Sequence, residues 1–170
     1  MINNKSKFFL FTDGSINPQT HVGYGAYLFL SENQLNLAVS MNDVKIKRFE
    51  NSNSSKLELE TLLWALGEIS LDGCKLTIYT DCQNTISLKD RRERFKKNDY
   101  MSKTNKRIKN HEIYREFFKA IDAIDCEFVK VKGHKKKENK DKIDKIFTFV
   151  DIASRTALRK LYPHKQTTPL

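Results

Sequence analysis

The sequence FFLFTDGS, at residues 8–15, predicts the element around which the rest of the chain is arranged. Three phenylalanines and a leucine favour a buried β-strand. We expect this strand to end on Asp13, because Gly14 allows the backbone to turn there. Asp13 would then lie at the edge of a sheet, although an aspartate in this place can equally cap a turn. The first interpretation is favoured if other carboxylates reach the same edge.

A second predicted strand ends in the same way. The sequence KLTIYT, at residues 75–80, is followed directly by Asp81, just as the first strand is followed by Asp13. If the two strands are neighbours, both carboxylates emerge at one edge of the sheet. The pattern therefore predicts a pair of acidic groups close together.

The other apolar patterns predict strands and helices that alternate along the chain, which is typical of an α/β or α+β protein. Further strands are predicted at residues 22–30, 35–41, 44–49 and 126–131, and helices at 56–70, 113–121 and 142–161. A chain of 170 residues suits one domain, which we place at residues 1–165, with a C-terminal tail at 166–170.

The chain is strongly basic, with 31 lysines and arginines against 21 acidic residues and a net charge of +10. This balance favours a polyanionic partner. Residues 89–109, here called the basic segment, form either a solvated charged face or an arm that contacts phosphates. We expect the second, with support from the rings of Phe95 and Tyr100. The expected phosphate contacts are Arg91, Arg92, Arg94, Lys96 and Lys97.

The cysteines and the chain start argue against several classes of protein. The three cysteines form no CxxC pair, so a structural zinc site is not expected. The first residues form no apolar signal-like segment, and no apolar run is long enough to span a membrane. We therefore expect a cytoplasmic monomer without a membrane partner.

Further acidic residues can join Asp13 and Asp81 at the sheet edge. Glu58 lies in the first turn of a predicted helix, and Asp144 and Asp151 lie seven residues apart in the last one. Several carboxylates that converge need a cation, and hard oxygen ligands favour Mg²⁺ or Mn²⁺. Two such ions about 4 Å apart can stabilise both the attacking and the leaving oxygen of phosphodiester hydrolysis.

Five short motifs give the chain a resemblance to type 1 ribonuclease H. They are TDGS at 12–15, KLEL at 56–59, TDCQ at 80–83, VKGH at 131–134 and DIAS at 151–154. The resemblance implies an α/β fold, with a five-stranded mixed sheet of order 3-2-1-4-5 flanked by helices. It also implies that the RNA strand of an RNA–DNA hybrid is hydrolysed by a two-metal-ion mechanism, leaving 5′-phosphate and 3′-hydroxyl ends.

The resemblance also implies roles for single residues. Asp13, Glu58, Asp81 and Asp151 resemble the catalytic carboxylates that bind two Mg²⁺ ions, for which Mn²⁺ is a possible substitute. His134 resembles a loop histidine that assists proton transfer or product release, although a loop histidine can also be merely solvated. Asn17, Ser55 and Gln83 resemble positions near the hybrid backbone.

Two alternatives stay open at this point. Asp144 is closer than Asp151 to the family's usual spacing from His134, whereas small residues follow Asp151 as they follow the family's aspartate. We prefer Asp151 for this reason. The alternative to a hybrid-specific endoribonuclease is a protein of the same fold that is inactive and binds hybrids, or that cleaves DNA.

Overall fold

The computed structural model describes residues 5–132, 138 and 140–162, and a five-stranded mixed sheet forms its centre. The strands are β1 (Lys7–Asn17), β2 (Val22–Ser31), β3 (Lys45–Phe49), β4 (Lys75–Thr80) and β5 (Asp125–Lys130). Their order is β3-β2-β1-β4-β5. The β3-β2-β1 part is antiparallel, and β4 and β5 run parallel to β1. The strand number and order that the family resemblance implied are confirmed.

Helices cover both faces of this sheet. They are α1 (Glu32–Leu35), α2 (Ser54–Glu68), α3 (Gln83–Leu88), α4 (Arg92–Lys97), α5 (His111–Asp122) and α6 (Lys142–Leu161), with 3₁₀ turns at Met41–Asp43 and Lys89–Arg91. Helices α2 and α5 pack on one face together with Leu10, and α6 packs on the other face together with Phe11. Successive residues of β1 thus point to opposite cores, as the pleat of a strand requires. No helix in the described part of the chain is both long and apolar enough to cross a membrane.

The strand predicted at residues 35–41 is wrong. The chain leaves β2 into the short helix α1, because Ser31 and Gln34 form a capping box. The Ser31 hydroxyl accepts a hydrogen bond from the Gln34 N–H, and the Gln34 side chain accepts one from the Ser31 N–H. Leu35 at the end of α1 and Val39 in the loop after it pack against the α6 side of the core. The apolar spacing that suggested a strand therefore reflects packing of a short helix and a loop.

Strand β1 also differs from its prediction, because it continues past Asp13 to Asn17 in pairing with β2. Only its pairing with β4 stops early, at Phe11 opposite Tyr79. Asp13 and Asp81 each lie two residues beyond this last parallel pair. The two carboxylates therefore share one edge, although the first strand does not end there.

Gly14 does not turn the backbone, but it lets α2 approach the sheet. It lies opposite Gly25 in the β1–β2 register. A Cβ on Gly14 would lie 3.0 Å from the Leu57 side chain, and one on Gly25 would lie 2.1 Å from Thr61 Oγ1. Two facing glycines thus bring the first turns of α2 against the centre of the sheet.

Candidate active site

Three carboxylates from three elements meet at the carboxyl end of the central strands. Asp13 comes from β1, Glu58 from α2 and Asp81 from the residue after β4. One oxygen from each lies within 4.8 Å of the others. Asp151 lines the same crevice, which has a volume of about 300 Å³. The name acidic crevice is used below for this space.

The start of α2 positions Glu58. Asn53 caps the helix, since its Oδ1 accepts a hydrogen bond from the Lys56 N–H at 3.0 Å. Glu58 follows in the second turn, on the side that faces Gly14, and only 8% of its surface is exposed. Because Gly14 has no side chain, Glu58 Oε1 can lie within 3.5 Å of where a Cβ would be. The close approach of helix and strand therefore buries an acidic group.

The carboxyl group of Asp13 is strongly affected by its surroundings. Burial raises its pKa to about 7, and the negative charges of Asp81 and Asp151 act in the same direction. Ser154 on α6 opposes this change by donating a hydrogen bond to Asp13 Oδ2 at 2.7 Å. Without a cation, the acidic crevice thus favours a protonated Asp13 well above the usual pH for an aspartate.

The carboxyl group of Glu58 shows the same effect. Burial raises its pKa well above the ordinary value, and the charge of Asp13 adds to the effect. Its Oε2 atom is buried and has no hydrogen-bond partner among the described residues. A buried carboxylate oxygen without a donor is costly unless a cation meets it. Hard oxygen ligands that converge in this way fit a divalent metal ion such as Mg²⁺ or Mn²⁺.

The structure separates the two candidates for the fourth carboxylate. Asp151 lines the acidic crevice and forms an ion pair with Arg155, with 2.7 Å between Asp151 Oδ1 and Arg155 Nε. Asp144 lies at the start of α6, where it forms a capping box with Asp141. Asp144 instead lines a neighbouring crevice that Asp81 and Asp151 also border. Asp151 is therefore the one that shares a crevice with Asp13 and Glu58.

The predicted contacts in the basic segment divide into two groups. Arg91 donates hydrogen bonds to the backbone carbonyls of Ser87 and Asn84, at 3.3 and 2.9 Å. Arg92 forms a two-fold ion pair with Asp122 on α5. Both guanidinium groups thus have partners within the protein. The side chains of Arg94, Lys96 and Lys97 are exposed on α4.

The two aromatic residues of the basic segment do not face solvent. Phe95 and Tyr100 are each 6% exposed, and their ring centroids lie 5.9 Å apart. Phe95 also stacks on Tyr114 of α5 at 5.5 Å. The expectation that these rings support binding of a polyanion is wrong, because they fix α4 to α5 instead.

The other predicted residues are not among the described residues that line the acidic crevice. Asn17 accepts hydrogen bonds from the backbone N–H groups of two turn residues after β1. Ser55 is half-buried in the first turn of α2, and Gln83 accepts a hydrogen bond from Lys130 at 2.8 Å. His134 lies outside the described residues.

Besides Gly14, four further residues that the sequence did not single out as site residues line the acidic crevice. They are Ser15, Ser54, Cys82 and Arg155. Arg155 could have been found, because a basic residue four positions after an aspartate on a helix commonly pairs with it. The other three are small side chains on three different parts of the fold: Ser15 lies in β1, Ser54 begins α2 and Cys82 precedes α3.

The fold and the acidic crevice together define a class of protein, nucleases with carboxylates at the ends of the central strands of such a sheet. A family model described as RNase H matches residues 5–148. The chain belongs to the RNase H family and is a nuclease, a hydrolase.

Similar proteins and structures agree with this assignment. The ribonuclease H of Clostridium botulinum (strain Hall) is 25% identical over 146 residues, covering 82% of this chain and 92% of that protein. The ribonuclease H of Acetivibrio thermocellus is 25% identical over 147 residues, covering 84% and 92%.

Two solved structures share the fold. The prototype foamy virus protease-reverse transcriptase aligns with a TM-score of 0.69 and 14% identity, covering 92% of this chain and 21% of that one. A type 1 RNase H with the type 2 active-site motif aligns with a TM-score of 0.64 and 13% identity, covering 90% and 72%.

Proposed function

We propose that the chain is an endoribonuclease that hydrolyses the RNA strand of RNA–DNA hybrids. The ends produced would be a 5′-phosphate and a 3′-hydroxyl. One observation carries the proposal: Asp13, Glu58 and Asp81 meet within 4.8 Å in the acidic crevice. The membership in the RNase H family supports the choice of substrate.

Asp13, Glu58, Asp81 and Asp151 would hold two Mg²⁺ ions, with Mn²⁺ as a possible substitute. Bound there, the ions supply Lewis-acid stabilisation of the attacking and leaving oxygens in phosphodiester hydrolysis. The buried Glu58 Oε2 atom and the raised pKa of Asp13 support a cation at this place. Arg155 holds the Asp151 carboxylate at the rim of the crevice by its ion pair.

The exposed side of α4 is suited to the hybrid backbone. A cleft of about 700 Å³ lies beside this helix, and its described lining includes Arg94, Lys97 and Lys103 but no carboxylate. Cations in such a position neutralise phosphates without reading sequence. The hydroxyl groups of Ser15 and Ser54 line the acidic crevice itself. Such polar groups can test for the 2′-hydroxyl that separates RNA from DNA.

A cleavage assay on one labelled sequence tests the proposal. The sequence is offered as RNA–DNA hybrid, as double-stranded RNA and as double-stranded DNA, each with Mg²⁺ and with a chelator. We expect cleavage of the RNA strand of the hybrid, in the presence of Mg²⁺ alone. Equal cleavage of the DNA duplex would reject hybrid specificity. Binding of the hybrid without cleavage would favour an inactive binding module, and activity in chelator would reject the metal mechanism.

A further inference from the structure

Ser154 is a buried hydroxyl group at the acidic crevice. It lies on α6, three residues after Asp151, and 0% of its surface is exposed. Its Oγ donates a hydrogen bond to Asp13 Oδ2 at 2.7 Å, across 141 positions of sequence. This bond joins the central strand to the helix that carries Asp151.

The same oxygen atom takes part in a short chain of hydroxyl groups. Ser154 Oγ lies 3.1 Å from Ser15 Oγ and 3.1 Å from the Asp151 carbonyl oxygen. A serine hydroxyl has one proton to donate and two lone pairs that accept. If Ser15 donates to Ser154 and Ser154 donates to Asp13, each proton is used once. The Oδ2 atom of Asp13, a residue that lines the crevice, is then held by the protein.

The Asp13 contact is more than a side effect of helix geometry. A serine inside a helix commonly donates to the carbonyl three or four residues earlier, which would here be that of Asp151. The distance to Asp13 Oδ2 is shorter, at 2.7 Å against 3.1 Å. A charged acceptor also makes the stronger hydrogen bond. The proton is therefore assigned to Asp13.

We propose that Ser154 is a positioning residue that sets the orientation of the Asp13 carboxylate for a divalent cation. The inference rests on the proposed function of the acidic crevice. The last torsion of an aspartate side chain is broad, so an unanchored carboxylate rotates freely. Partners that hydrogen-bond a ligating carboxylate typically affect metal affinity by about 10–100-fold. Ser154 and Asp151 both lie on α6. The hydrogen bond from Ser154 therefore also fixes the Asp13 carboxylate relative to Asp151.

Replacing Ser154 by alanine and measuring Mn²⁺ binding tests this role. Calorimetry on the protein without nucleic acid gives the affinity, and thermal melting in chelator gives the stability. Ser87→Ala is the matched control, because Ser87 Oγ also donates to a carbonyl three residues earlier on a helix, that of Asn84. We expect Ser154→Ala to bind Mn²⁺ about tenfold more weakly, while Ser87→Ala binds it as the unaltered protein does.

Kinetics separate positioning from a general loss of structure. For Ser154→Ala we expect a lower kcat at limiting Mg²⁺ and an unchanged KM for the hybrid. Unaltered Mn²⁺ affinity would overturn the inference. If the alanine variant does not fold, Ser154→Cys replaces it, since a thiol has a similar shape and is a weak donor; its Mn²⁺ affinity should fall, and an unaltered affinity would again overturn the inference. An unaltered protein that binds Mn²⁺ but does not cleave hybrids would reject the proposed function alone.

Discussion

The acidic crevice and the basic segment both carry dense charge, but their charged side chains are held in different ways. In the crevice, Asp13 and Glu58 are almost completely buried, and three separate elements bring the carboxylates together. In the basic segment, Arg94, Lys96 and Lys97 are exposed on one short helix. The fold thus buries the acidic groups, whereas most of the basic groups are exposed.

The energetic consequences differ accordingly. Burial raises the pKa of Asp13 and of Glu58, so the crevice costs free energy of folding when both are ionised. Exposed lysines and arginines cost little and contribute little to folding, and their interactions are screened by salt. The crevice therefore has the properties of a functional site that is costly to the fold. The basic surface supplies attraction for a polyanion at almost no cost.

The largest effect is expected from removing one charge of the crevice. Asp13→Asn and Asp81→Asn should each lower kcat for hybrid cleavage by about a thousandfold or more, because each removes a proposed ligand to the cations. Single-turnover cleavage with saturating protein measures this loss. Asp72→Asn is the control, because Asp72 is exposed at the opposite end of the sheet before β4. Cleavage within tenfold of the unaltered rate by Asp13→Asn would remove the crevice from the mechanism.

A smaller effect is expected from replacing the proposed fourth carboxylate, Asp151, and it can be compared with that of replacing Asp144 on the same helix. Asp151→Asn should lower kcat by about a hundredfold and leave the melting temperature nearly unchanged, since Asp151 is at the rim of the crevice. Asp144→Asn should leave kcat nearly unchanged. It should lower the free energy of unfolding by about 0.5–1 kcal/mol, because it weakens the capping box with Asp141. Thermal melting and kinetics on both variants check the pair. If only Asp144→Asn abolishes cleavage, the assignment of Asp151 is wrong.

The pH dependence of stability tests the burial of Asp13 without any substrate. Its folded-state pKa of about 7 lies above the ordinary value of 3.8, so the folded state binds the proton more tightly than the unfolded state. Stability in chelator should therefore fall as the pH rises from about 4 to about 7. Asp13→Asn should melt at a higher temperature than the unaltered protein above pH 7, and the difference should vanish near pH 4. If the melting temperatures of Asp13→Asn and of the unaltered protein differ by the same amount across this pH range, the burial of an ionisable Asp13 is contradicted.

Much of this fold could be predicted from periodicity, and the errors have physical causes. The apolar runs predicted β1 and β4 as strands followed by aspartates that share an edge if the strands are neighbours, and the resemblance to a known family implied the strand order. The strand at residues 35–41 was predicted wrongly because the spacing of apolar residues does not show that the capping box of Ser31 and Gln34 starts a helix just before them. The end of β1 was placed too early because Gly14 looks like a turn residue. Its role as a contact for Leu57 exists only after α2 has packed.

The site was predictable for Asp13 and Asp81, because each is an acidic residue directly after an apolar run that forms a strand. It was not predictable where a side chain depends on a partner distant in sequence. Arg92 pairs with Asp122 and packs on Phe118, 30 and 26 positions later in the chain. In sequence it is indistinguishable from Arg94, which is exposed. Ser154 was noted only as a small residue, because its contact with Asp13 spans 141 positions.

The smallest effects concern this division within the basic segment. Arg92→Ala should lower the free energy of unfolding by about 1–2 kcal/mol, because it removes a partly buried ion pair and the packing of the guanidinium group on Phe118. Lys97→Ala should leave stability within about 0.5 kcal/mol of the unaltered protein, because its side chain is exposed. Denaturant unfolding of both variants measures the difference.

Hybrid binding should show the opposite ranking. Lys97→Ala should weaken binding a few-fold for every sequence and reduce the slope of log affinity against log salt by about 1, as expected for one lost phosphate contact. Fluorescence anisotropy with a catalytically inactive Asp13→Asn background, titrated at several salt concentrations, provides the slope. Arg92→Ala in the same background should keep the full slope, since Asp122 already neutralises its charge. A reduced slope for Arg92→Ala with an unchanged slope for Lys97→Ala would show that the phosphates contact Arg92. Exposure on α4 would then not identify the binding surface.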